Sequence, residues 1–120
     1  MSIHNPVPEF ITYKVSPTSK VTAKVIIGDA QLGGWSISLG GTLLAKGADE
    51  TPVEVATGAQ LAGKILQVVV TVVDIQQETN RLSATVTISG GTAGDVPVTQ
   101  TYDQGADGDT AILTTLVLFQ

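Results

Sequence analysis

A chain of 120 residues, 42% hydrophobic, fits one domain large enough to bury roughly two-thirds of the surface its unfolded form would expose. The lack of cysteine excludes a disulfide framework, thiolate catalysis and thiolate metal sites. A net charge of −5, from Lys+Arg 6 against Asp+Glu 11, repels phosphate backbones, so nucleic acid is not an expected partner.

In chain order, residues 1–8 read as a flexible N-terminal segment punctuated by Pro6 and Pro8 and carrying the single histidine, His4. The segment has no basic stretch followed by an apolar one, so no signal peptide is expected, and the compartment stays open. Residues 10–15 form a first strand, ended by Ser16-Pro17. Residues 20–27 alternate, with Val21, Ala23, Val25 and Ile27 on one face and Thr22 and Lys24 on the other. Shorter strands are expected at 35–39, 42–45 and 53–56.

Residues 65–75 make the longest apolar strand. Leu66, Val68, Val70 and Val72 line one face, and Ile65, Val69 and Val73 make the other apolar too, so this strand must be central or covered by another subunit. It falls short of the ~20 residues that a membrane-spanning helix needs. Residues 74–80 are polar and join it to residues 81–89, most simply as a hairpin. In that next strand Leu82, Ala84, Val86 and Ile88 oppose Ser83, Thr85, Thr87 and Ser89, the cleanest period of two in the chain. Strands at 96–102 and 111–119 complete the set, the last ending in Leu116 to Phe119, apolar enough to be docked in the fold or in a subunit interface. No segment carries helical periodicity.

Eight or nine strands at regular spacing predict a single all-β domain over residues 1–120, an antiparallel β-sandwich of immunoglobulin-like or related Greek-key topology. An internal pseudo-repeat is also expected. Gly58-Ala59 followed by Ile65-Leu66 matches Gly105-Ala106 followed by Ile112-Leu113, Pro52-Val53 matches Pro97-Val98, and Ile37-Ser38 before Gly40-Gly41 matches Ile88-Ser89 before Gly90-Gly91.

Candidate chemistry is sparse. Asp103, Asp107 and Asp109 surround Gly105 and Gly108 and could wrap oxygen ligands around Ca²⁺. This is not an EF-hand, because counted from Asp103 position three is Gly105 and position twelve is Thr114. The competing reading makes Asp107-Gly108 a hairpin turn, with glycine supplying the positive φ. Trp35, the single tryptophan, is a core residue sharing a face with Ile37 and Leu39, or a platform flanked by Gly33-Gly34 on which a sugar could stack. Six further acids, Asp29, Asp49, Glu50, Asp74, Glu78 and Asp95, fall in expected turns or at strand ends, where acids serve solubility. Thr85 and Thr87, with Thr99 and Thr101 on the neighbouring strand, form a hydroxyl face that is solvated or meets a partner.

These features lead to the expectation of a soluble, non-enzymatic structural or protein-interaction module, self-associating through an apolar strand face, with no catalytic residue, cofactor or membrane span. The alternative is a Ca²⁺-dependent or carbohydrate-binding, lectin-like module using Asp103, Asp107, Asp109 and Trp35.

Overall fold

The computed structural model describes residues 2–28, 31–75, 81–103 and 108–120. Its elements run β1 (Ile3–His4), β2 (Glu9–Tyr13), β3 (Lys20–Ile27), β4 (Leu32–Leu39), β5 (Thr42–Gly47), β6 (Val53–Thr57), α1 (Gly58–Leu61), β7 (Ile65–Val73), β8 (Leu82–Ser89), β9 (Val96–Tyr102) and β10 (Thr110–Phe119). The chain is nearly all β and forms two antiparallel-rich sheets. The first has the order β1-β10-β7-β4-β5, with β2 also on β10, and the second has the order β6-β3-β8-β9.

The alternation read from the sequence builds one core between them. Val21, Ala23 and Val25 of β3 and Val86 and Ile88 of β8 join Ile37 of β4, Val68, Val70 and Val72 of β7, and Leu113 and Val117 of β10 in a single buried cluster. Each of the valines, leucines and isoleucines among them contributes roughly 1.5–3 kcal/mol when fully removed from water. The doubly apolar β7 lies at the centre of the first sheet, paired to β10 on one side and β4 on the other. The C-terminal strand is divided between two environments, for Val117 and Phe119 are buried while Leu116 and Leu118 turn outward and stay half-buried.

Three expectations change. β7 and β8 do not form a hairpin: β8 pairs with β3 and β9 in the second sheet. Each sheet needs a strand with its own apolar face, and β7, apolar on both faces, is best used between two neighbours. The turn at Gly108 exists, with φ of 84°, and its N–H donates to the Asp74 carbonyl at 2.9 Å, but it leads from β9 of one sheet into β10 of the other. The hairpins are instead β4–β5 and β8–β9. In the first, Gly40 and Gly41 occupy the two turn positions at φ of 56° and 86°, left-handed values that suit a tight hairpin and disfavour side chains.

The third change is α1, a four-residue helical turn where no helix was expected. Thr57 N–H donates to Gln60 Oε1 at 3.3 Å and Ala62 N–H to the Gly58 carbonyl at 3.1 Å, which closes the turn and lets Leu61 plug the core. A segment this short carries too little periodicity to register in the sequence.

The pseudo-repeat is matched over part of its length. β6 and β9 are opposite edges of the second sheet; β6 leads through α1 to β7, β9 is followed by β10, and β7 and β10 are neighbours in the first. Upstream the correspondence ends, since β4 belongs to the first sheet and β8 to the second. Gly105 and Ala106 lie outside the described residues.

Candidate functional site

Two places bring chemistry together: the end of the molecule where β1, β9 and β10 meet, and the outer face of the first sheet. At the end, β1 runs parallel to the start of β10, with Ile3 opposite Thr110 and His4 opposite Ala111. This places His4, from the N-terminal segment, against Asp109. The imidazole Nε2 lies 2.8 Å from Asp109 Oδ2, and the Ser2 N–H donates to Asp109 Oδ1 at 2.8 Å. Tyr102, the last residue of β9, stacks its ring on the imidazole at a centroid distance of 4.5 Å, and its hydroxyl lies 2.9 Å from His4 Nδ1.

With Nε2–H donating to the carboxylate, Nδ1 is the acceptor for the phenol O–H. Both ring nitrogens are thereby committed, and the imidazole as it stands has none to offer a substrate as a general base. What the arrangement does is fasten: a buried carboxylate, 7% exposed, is satisfied by two donors from the N-terminal segment. Farther along the same segment, the Gln100 side chain of β9 donates to the Val7 carbonyl at 3.2 Å.

The fastening continues into the neighbouring connection. Asp74 N–H donates to the Asp109 carbonyl at 2.8 Å, extending the β7–β10 ladder beyond the strands. The Asp74 carboxylate, 2% exposed, receives Gln31 Nε2 at 3.3 Å, and Gln31 Oε1 accepts the Ile75 N–H at 2.8 Å. Asp74 is thus a buried structural acid rather than a surface one.

Of the three aspartates proposed for Ca²⁺, Asp103 is exposed at the end of β9, Asp109 is buried against His4 and Ser2, and Asp107 lies outside the described residues, as do Asp29 and Glu78. Among the described residues no group of three or more His, Cys, Asp or Glu side chains is placed to hold a metal ion. Sequence reasoning missed the His4–Tyr102–Asp109 cluster because its members come from both ends of the chain. The one available signal was a lone histidine beside a strand-forming Ile3.

Trp35 is 7% exposed and belongs to the core cluster. Its indole N–H donates to the Asp49 carbonyl at 2.8 Å, and it lies so close to Gly47 that a Cβ there would come within 2.9 Å of the ring. Beside it, Gly34, Ser36, Lys46, Val69 and Thr71 rim a shallow groove of about 610 Å³ on the outside of the first sheet, where Gly34 leaves a gap between larger neighbours.

The two sheets differ in what they turn away from the core. On the second, Lys20, Thr22 and Lys24 of β3 lie beside Thr85 and Thr87 of β8 and Thr99 and Thr101 of β9. Thr85 and Thr99 are directly opposite, with hydroxyls 2.8 Å apart. This is the expected hydroxyl face, with charges among the threonines. On the first sheet, register sets Phe10 opposite Leu116, Leu118 opposite Ile65, Thr114 opposite Val69, and Leu43 opposite Ser38. Phe10 is 53% exposed, Leu43 55% and Ile65 43%. Lys46, on the β5 flank, is the one charged side chain that this alternation turns outward among the described residues.

Comparison with family models, curated proteins and solved structures finds no match for this chain. Among the described residues no helix is long and apolar enough to cross a membrane.

Proposed function

We propose that this chain is a non-enzymatic structural or protein-interaction module that makes contact through the outer face of its first sheet. The observation that carries the reading is the contrast between the two outer faces. One carries Lys20, Lys24 and Glu54 among its threonines, with Ile26 and Pro97 beside them; the other joins the exposed Phe10 and Ile65 to the half-buried Leu116 and Leu118, with the exposed Leu43 beyond Ser38 and Gln67, and among the described residues turns out one charge, Lys46. The adjoining apolar side chains Phe10, Leu116, Leu118 and Ile65 are surface of the kind that marks a contact site on a folded protein.

The finer fold reading, a β-sandwich of immunoglobulin-like or related Greek-key topology, accompanies the proposal. It is supported by the single core shared between two sheets, and by the connections from β2 onward, which cross between sheets except at the β4–β5 and β8–β9 hairpins. The roles of His4, Tyr102 and Asp109 as fasteners of β1 also support a structural module. A Ca²⁺- or carbohydrate-binding module would draw on Asp109 and Trp35, both of which are engaged in holding the fold.

Binding of an environment-sensitive apolar dye tests the reading at sub-micromolar protein. The wild-type chain is expected to bind it, Leu116→Glu to lose most of the signal, and Thr87→Glu on the second sheet to keep it. Equal dye binding by all three would remove the first sheet's outer face as the contact surface.

A further inference from the structure

We propose that the occupant of this face is a second copy of the same chain, packed outer face to outer face about a two-fold axis, a step that rests on reading the face as a contact surface. Area is the first argument. Five strands about 4.8 Å apart and about eight residues long at ~3.3 Å per residue span roughly 600 Å² on each copy. Two such faces bury roughly 1,200 Å² in total, the lower bound of a specific, stable interface.

Charge is the second. Each chain carries −5, so two copies repel least where they meet away from carboxylates. The first sheet's outer face is such a place among the described residues, whereas the second sheet turns out Glu54 and three lysine-bearing or threonine-bearing strands that would have to be desolvated. An isologous contact also needs a surface that tolerates itself. Lys46 sits on the β5 flank, and an axis parallel to the strands exchanges the flanks, so the two lysines lie on opposite sides and never meet.

Register is the third. The same axis keeps each row at its height and exchanges the flanks, so the exposed Phe10 of one copy, in the row Phe10–Leu116–Gln67–Ser38–Leu43, meets the exposed Leu43 of the other. A ring on one flank and a leucine on the other are what a two-fold pair can use twice.

The native chain has no cysteine, so single cysteines report this geometry cleanly. Val69→Cys places a thiol at the centre of the face, and Thr87→Cys on the second sheet is the control. With a short thiol-reactive bifunctional linker, Val69→Cys should give covalent dimer roughly tenfold faster than Thr87→Cys, because pairing raises the effective thiol concentration. Adding Leu116→Glu, or the milder Thr114→Lys where that variant folds poorly, should abolish the difference. Equal rates for the two cysteines would overturn the second copy as occupant. If the apolar dye still binds the face in that event, the contact surface survives and takes another partner; if it does not, both readings fall.

Discussion

The imidazole of His4 and the carboxylate of Asp109 meet at 2.8 Å across 105 residues of sequence, fastening the first strand to the last. Asp109 is 7% exposed, so removing its partner leaves a buried acceptor short of a donor. His4→Ala should cost about 1–3 kcal/mol, and Asp109→Asn a similar amount. The double variant should cost less than the sum, with a coupling of about 1 kcal/mol or more in a double-mutant cycle followed by thermal or urea unfolding. Additive losses would show that the two side chains merely sit close.

Tyr13 joins the end of β2 to the connection after β8. Its hydroxyl donates to the Gly94 carbonyl at 2.5 Å and accepts the Gly91 N–H at 2.8 Å, while its ring lies edge-on to Phe119 at 6.3 Å. Tyr13→Phe keeps the ring and leaves those two backbone groups without their partner. A loss of about 1–3 kcal/mol is expected, read as a lowered unfolding midpoint with an unchanged denaturant m-value.

Trp35 offers a spectroscopic prediction, since it is the single tryptophan and is 7% exposed. Native emission should be blue-shifted and move to the red on unfolding. Trp35→Phe, which loses the bond to the Asp49 carbonyl and part of the ring, should cost about 1–2 kcal/mol. Titration with a panel of simple sugars should leave the native emission unchanged, whereas a saturable shift would return Trp35 to the role of a stacking platform.

The Gly40-Gly41 turn is predicted to resist side chains. Both residues have left-handed φ, 56° and 86°, in the two-residue link between Leu39 and Thr42. Gly41→Val should destabilise by roughly 1–2 kcal/mol, because a β-branched residue adopts positive φ at a cost, while Gly41→Asn should be much milder. Equal losses for the two would mean the turn is not what limits this position.

Strand order along the chain could be read because period two is a local property, and residues 20–27 and 96–102 were bounded as β3 and β9 are. Pairing could not. Nothing local says that β7 neighbours β10 and β4 rather than β8, since all offer apolar faces of similar length. The site was hidden for the same reason: Ile3 and His4 look like a tail until β10 is known to have a free edge at Thr110 and Ala111. Trp35 was legible in its core role because its neighbours Ile37 and Leu39 share its face. The apolar outer patch was legible in fragments, as the second apolar side of residues 65–73 and the apolar C-terminus, but only register showed that Ile65 and Leu118, and Leu116 and Phe10, adjoin.

Light scattering coupled to size exclusion, run on the full chain from low micromolar to near-millimolar concentration, tests the central claim most directly. Self-association through the first sheet predicts a mass that rises with concentration toward twice the 12.3 kDa chain mass and returns to a single chain in Leu116→Glu. A wild-type mass that stays at 12.3 kDa throughout would contradict it.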